Sequence, residues 1–127
     1  MRAMDSVLKK TGFFTSFDGA DIYFESRGQG RPIVFCYGIG CLFNHWSPQV
    51  RHFSKFSETL MFDYRGHQKT PIPADKESLT IESLSKDLIE FCNQSNIEST
   101  DFVGHSFGCQ VLLQAYRSRP DLFRSLT

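Results

Sequence analysis

Apolar positions in this chain gather in two kinds of cluster: unbroken runs, and stripes with the spacing of a helix face. Phe13 to Phe17 and Ile22 to Glu25 are aromatic-rich segments on either side of Asp18-Gly19. That arrangement predicts a short hairpin. Gly28-Gln29-Gly30-Arg31-Pro32 breaks the chain, and Ile33-Val34-Phe35-Cys36-Tyr37 follows as a continuous apolar run. Such a run predicts a parallel strand buried on both faces. Ser47-Pro48 marks a helix start with Val50 and Phe53 on one side, as proline suits a first helical turn. Leu60-Met61-Phe62 is the next buried strand and ends at Asp63.

From Tyr64 to Ser78 the chain is polar and contains proline, which predicts a loop. Thr80 can cap a helix in which Ile81, Leu84, Leu88, Phe91 and Cys92 form one apolar stripe. Asp101-Phe102-Val103 reads as a further strand. Cys109, Leu112, Leu113 and Tyr116 then repeat at helical spacing until Pro120 stops the helix. Strands that alternate with helices predict an α/β fold, a mostly parallel sheet with helices on both faces. The 127 residues fit one domain, with no repeat, linker or low-complexity segment to suggest a second.

Charge adds exclusions. Lys plus Arg and Asp plus Glu are fourteen each, and no basic run exceeds Lys9-Lys10. Nothing draws such a chain to nucleic acid or anionic lipid. Met1 to Lys10 lacks a continuous apolar segment, so no secretory signal is expected. The longest apolar stretch, Ile33 to Phe43, is too short and too broken by glycine to span a bilayer. Cys36, Cys41, Cys92 and Cys109 lack metal-ligand spacing and read as buried, reduced thiols of a cytoplasmic protein. His45 and His52 near Cys41 are too irregularly spaced for a metal site. No cofactor motif appears: Phe43 stands where a dinucleotide fingerprint starting at Gly38-Ile39-Gly40 needs glycine, and no Gly-Lys-Ser or Gly-Lys-Thr exists.

Candidate chemistry concentrates at Phe102 to Gly108, where Gly104-x-Ser106-x-Gly108 lies between a predicted strand and a predicted helix. That is the sequence of a nucleophile elbow, a sharp turn that lifts one serine hydroxyl above the sheet. Glycines flank Ser106 because the turn crowds backbone against backbone. The following helix points its free N–H groups and positive end to where an oxyanion forms in acyl transfer. Ser106 is therefore the candidate nucleophile, in need of a base to take its proton. His105 is adjacent, but neighbours in a tight turn point apart, and it is expected to be a packed residue.

Together with two upstream landmarks, the elbow resembles the N-terminal half of an α/β-hydrolase-fold protein, over about Gly12 to Thr127. Tyr37-Gly38-Ile39-Gly40 matches the loop that usually begins His-Gly, and Asp63-Tyr64-Arg65-Gly66-His67 resembles the family's Asp-x-Arg-Gly-x-Gly turn. The resemblance implies that the backbone N–H groups of Ile39 and Phe107 bind the oxyanion, supported by Tyr37, Gly38 and Gly40. Tyr37 replaces the usual histidine and Gln68 the usual second glycine, which changes loops and leaves the donors. Asp63 and Arg65 are expected to fix their turn by local hydrogen bonds.

The activity implied is a serine hydrolase of the esterase or lipase kind, cleaving a carboxylic ester or related acyl bond of a small molecule without a cofactor. Serine in place of aspartate argues against dehalogenase or epoxide hydrolase chemistry. Acyltransferase, C–C hydrolase and haloperoxidase activities share the elbow and stay open, as does a non-catalytic binding remnant of the fold. In the family an acid and then a histidine follow the nucleophile. Here twenty-one residues follow Ser106 and none is histidine. Residues 1–127 thus read as a partial domain, expected to be inactive alone, with acid, histidine and cap elsewhere. Arg124-Ser125-Leu126-Thr127 resembles the opening of a sixth strand, so the edge at Phe102 and Val103 is expected to lie open to self-association.

Overall fold

In the computed structural model, which describes residues 9–127, nine main elements follow one another. They are β1 (Lys9–Thr15), β2 (Asp21–Arg27), β3 (Arg31–Cys36), α1 (Ser47–Phe53), β4 (Ser57–Phe62), α2 (Ile81–Gln94), β5 (Thr100–Gly104), α3 (Phe107–Ser118) and β6 (Phe123–Leu126). The reading of Met1 to Lys10 as free of a secretory signal falls almost wholly outside the described residues. No helix among them is long and apolar enough to cross a membrane.

The six strands form one sheet in the order β1-β2-β4-β3-β5-β6. The β1–β2 hairpin and the β2–β4 pair are antiparallel, and β4, β3, β5 and β6 run parallel. Parallel strands deliver their C-terminal ends to one rim. The loops after β3, β4 and β5 therefore emerge together, in the place where open α/β sheets build their sites.

Successive side chains along these strands face opposite layers. Val34, Leu60 and Phe102 join Leu84, Leu88, Phe91, Val111, Leu112 and Ala115 in the core beneath α2 and α3. Phe35, Met61 and Val103 pack on the other face with Val50 of α1 and Trp46. Both faces are covered, which explains why β3 and β4 read as unbroken apolar runs. Thr80 caps α2 as its sequence predicts, its hydroxyl accepting from Ser83 N–H at 3.0 Å.

Helix α3 differs from the expected stripe. Gly108, Val111, Leu112 and Ala115 are its buried residues, whereas Leu113 and Tyr116 are 55% and 48% exposed. Two stripes of the same period overlap in this segment, and hydrophobicity favours the larger one. Gly108 decides between them, because it must lie against the end of β3. Once it faces inward, Val111, Leu112 and Ala115 follow at helical spacing.

The open edge is also corrected. β6 pairs with β5 from Thr100 to Phe102, Thr127 N–H donates to Phe102 O, and Gly104 N–H donates to Thr127 O. Phe102 is fully buried and its ring meets Phe123 at 4.2 Å. The unpaired edge on this side belongs to β6.

A charged cluster ties remote segments together. Arg65, after β4, donates through Nε and one terminal nitrogen to Asp87 of α2 at 2.8 and 2.7 Å. It also donates to both oxygens of Asp18, in the β1–β2 turn, at 2.6 and 2.8 Å. Ser16 adds its hydroxyl to Asp87. The side chains of Arg65 and Asp87 are essentially inaccessible. Burying them is tolerable because forked pairing satisfies both charges. The expectation of local bonding at Arg65 thus fails: its partners lie 22 and 47 residues away.

Removing one member should expose that dependence. Asp87→Ala leaves Arg65 buried without its main partner and is expected to lower the unfolding free energy by about 3–5 kcal/mol. Glu82→Ala, which removes only an exposed pair to Lys86, is expected to cost about 0.5 kcal/mol or less. Urea unfolding checks the contrast, and equal midpoint shifts would contradict it. Hydrogen bonds from Arg65 hold the Asp18 carboxyl below its ordinary value. Its contribution is accordingly complete above about pH 4 and lost as pH falls through the folded-state value.

Candidate active site

β3 and β5 are adjacent, with Cys36 opposite Gly104. The chains leaving them stay in contact, since His105 N–H donates to Cys36 O at 3.1 Å. Ser106 then takes φ 53° and ψ −114°, and α3 begins at the next residue. L-residues rarely adopt that conformation, and it persists only where surroundings impose it. Here they do. A Cβ on Gly108 would lie 2.3 Å from Cys36 O and 2.9 Å from Tyr37 O, so the first turn of α3 rests directly on backbone. A Cβ on Gly104 would meet Leu112 Cδ1 at 2.8 Å. Ser106 is left exposed at the rim.

The loop after β3 passes beside this turn, and a Cβ on Gly38 would lie 3.5 Å from Ser106 Cβ. Its N–H groups are differently disposed. Cys41 N–H donates to Gly38 O at 3.1 Å, and Gly40 N–H donates to His67 Nε2 at 3.1 Å. Ile39 N–H has no acceptor among the described residues, and neither has Phe107 N–H. The two residues share the lining of an apolar groove of about 350 Å³ with His67, Ile72 and Leu79. Gly40 adopts φ +71°, the left-handed conformation this turn requires.

Tyr37 supports the loop from below. It is 1% exposed and donates to Asp63 Oδ1 at 2.8 Å while accepting from Tyr64 N–H at 3.2 Å. Tyr64 returns its own hydroxyl to Tyr37 O at 2.7 Å. Burial raises both phenols well above the ordinary range, which keeps them neutral donors. Burial also raises the Asp63 carboxyl, opposed by hydrogen bonds from Tyr37 and from Lys69 N–H. Asp63 thus fixes its turn as the sequence suggests, receiving Lys69 N–H at 3.2 Å. Gln68 takes φ 47°, which accounts for the glycine usual in the resembled turn.

His105 is exposed rather than packed. Because its backbone must return to Cys36 O, its ring swings over the rim, where it lines a cavity of about 300 Å³ with Tyr37, His45 and Trp46. The four cysteines are free thiols. Burial raises Cys92 to about 12 and Cys36 further, so both remain uncharged. No three His, Cys, Asp or Glu side chains gather as a metal site among the described residues.

Two contributors escaped sequence reasoning. Asp87 sits on the buried face of α2 beside Leu84 and Leu88, and a carboxylate on an apolar stripe signals a buried cation. His67 reads only as part of the Asp63–His67 turn, and its contact goes unread because the partner is a backbone N–H on another loop.

The elbow glycines should differ in tolerance. Gly108→Ala forces a methyl into two carbonyl groups that cannot move aside, and a cost of about 3 kcal/mol or more is expected. Gly104→Ala presses mainly on a leucine methyl that can rotate, at about 1–2 kcal/mol. Thermal unfolding of the two variants measures the order, and a reversed order would refute this account of the contact.

Comparison with known proteins places the chain. Residues 31–127 match the family described as alpha/beta hydrolase fold. The (E)-2-((N-methylformamido)methylene)succinate hydrolase of Acinetobacter baylyi is 31% identical over 105 residues, covering 82% of this chain and 38% of that protein. Ethanol acetyltransferase 1 of Hanseniaspora uvarum is 31% identical over 98 residues, covering 74% of this chain and 28% of that protein. Among solved structures, epoxide hydrolase VrEH1 from Vigna radiata superposes with a TM-score of 0.87 at 21% identity, over 97% of this chain and 39% of that one. At that identity the likeness concerns the fold alone. The chain spans well under half the length of these relatives, and within that span it belongs to the alpha/beta hydrolase fold family.

Proposed function

We propose that the protein is a serine hydrolase that cleaves a carboxylic ester or related acyl bond of a small molecule. The observation that carries this reading is Ser106, exposed at the rim in a conformation that the contact of Gly108 with β3 imposes. Strain held at one exposed hydroxyl has a use in catalysis and none in packing. In the proposed reaction Ser106 Oγ attacks the acyl carbon as a histidine base takes its proton. The carbonyl oxygen becomes an oxyanion between Ile39 N–H and Phe107 N–H. Collapse expels the leaving alcohol or amine with that proton and leaves an acyl-serine. Water then attacks the acyl carbon, releasing the carboxylic acid and restoring Ser106.

The histidine and its orienting acid are assigned to sequence beyond Thr127, following the family order of nucleophile, acid and histidine. Acyl transfer to an alcohol uses the same acyl-serine with a different acceptor. It is the second reading, favoured by the likeness to the Hanseniaspora acetyltransferase. The two acceptor-free N–H groups beside Ser106 count against a non-catalytic remnant.

A fluorophosphonate probe is expected to label the full-length protein at Ser106, and Ser106→Ala to abolish labelling and turnover. Ile39→Val should change turnover no more than a few-fold, whereas Ile39→Pro removes the N–H and should lower it by about 10² to 10³. Labelling at another serine, or full turnover in Ile39→Pro, would refute the assignments. Residues 1–127 made alone are expected to hydrolyse a nitrophenyl ester no faster than their Ser106→Ala variant, because the base is missing.

A further inference from the structure

We infer that His67 is the positioning residue of the oxyanion loop, an inference that rests on the proposed serine-hydrolase reading. Its ring stands between the loop after β3, which carries Ile39, and its own loop after β4. Gly40 N–H donates to Nε2 at 3.1 Å, which makes that nitrogen an acceptor and puts the ring proton on Nδ1. Nδ1 faces Arg65 O at 3.3 Å. One face of the ring lies over Tyr37 at 6.0 Å, and Tyr64 meets it edge-on at 5.5 Å. Packing and hydrogen bonds thus fix both orientation and tautomer.

What the ring fixes is the direction of a neighbouring N–H. Ile39 lies between Gly38 and Gly40, two residues without side chains to restrain them, and its own side chain is 65% exposed. The peptide plane that carries Ile39 N–H also carries Gly38 O, which accepts from Cys41 N–H; that bond sets the plane within the turn but does not tie the turn to another element. The bond from Gly40 to His67 does, because His67 belongs to the loop after β4. It also takes up the N–H of Gly40, leaving that of Ile39 to face an oxyanion. Arg65 O, on the far side of the ring, belongs to the residue locked to Asp87 and Asp18. Position is therefore transmitted from the buried charges, through Arg65 and His67, to Gly40 and Ile39.

The side-chain acceptor at position 67, rather than the bulk of the ring, is what the loop needs. His67→Phe keeps an aromatic ring over Tyr37 and removes the acceptor. His67→Gln places a carbonyl oxygen near the position of Nε2. With 4-nitrophenyl acetate and the full-length protein, the Phe variant is expected to lose at least about tenfold in kcat with KM unchanged within about twofold, since only transition-state binding suffers. The Gln variant is expected to recover kcat to within about threefold of the parent. Thermal unfolding of both variants separates these effects from loss of fold. Full kcat in the Phe variant overturns the inference, as does equal loss in the Phe and Gln variants. Ser106→Ala in the same assay keeps the two levels apart. Turnover lost there but retained in His67→Phe sinks the role of His67 alone, whereas turnover that survives Ser106→Ala removes the serine-hydrolase reading and this inference with it.

Discussion

Backbone contact between the first turn of α3 and the end of β3 governs the geometry of this half-sheet. The space over Cys36 O and Tyr37 O admits hydrogen and nothing larger at Gly108. With the helix that close, the chain between β5 and α3 has too little room to turn through ordinary dihedrals, and Ser106 takes the strained conformation. Such strain costs on the order of 1–3 kcal/mol and is sustained by the packing of Val111, Leu112 and Ala115 beneath the helix. The same contact brings Phe107 N–H, at the positive end of α3, beside the loop that carries Ile39 N–H. Helix rotation and the exposure of Ser106 both follow from one missing methyl group.

The buried Arg65 cluster acts at a different level. Its members come from the β1–β2 turn, the loop after β4 and the middle of α2. Apolar side chains of similar volume could hold these elements as tightly, because desolvation consumes much of the Coulombic attraction. What forked hydrogen bonds add is direction. A guanidinium gripped on two sides fixes the course of its own main chain, and Arg65 O is the atom that His67 faces.

Much of this was legible in the residues. The runs at Ile33 to Tyr37 and Leu60 to Phe62 and the cap at Thr80 are reported by local sequence, and the glycines about Ser106 by their spacing, although Gly108 acts against the distant end of β3. The burial face of α3 did not yield to hydrophobicity, since Leu113 and Tyr116 are larger than the residues that face inward and the deciding contact is with β3. Asp87 could have been suspected from its place on an apolar face, though nothing nearby identifies Arg65 as its partner. The β5 edge was misjudged because four residues suffice for β6 to pair, a matter of register that composition does not reveal. His67 was visible as a letter of its turn but its contact was not, because it meets a backbone group, and a backbone group has no letter in the sequence.

Tyr37 shows how such a framework absorbs change at a place where the resembled family carries histidine. The proposed oxyanion donors are main-chain atoms, and the side chain at 37 holds the end of β3 against the loop after β4. A tyrosine there reaches Asp63 Oδ1 and Tyr64 N–H with one hydroxyl, while its carbonyl receives the hydroxyl of Tyr64. Three hydrogen bonds thus join two neighbouring phenols and one carboxylate in a site closed to water. Burial raises all three groups, which keeps the phenols neutral donors. Within this pair of tyrosines the connection does not switch with pH, unlike a histidine, whose charge changes near neutrality. The loop after β3 is held on its far side by His67, whose Nε2 accepts from Gly40 N–H.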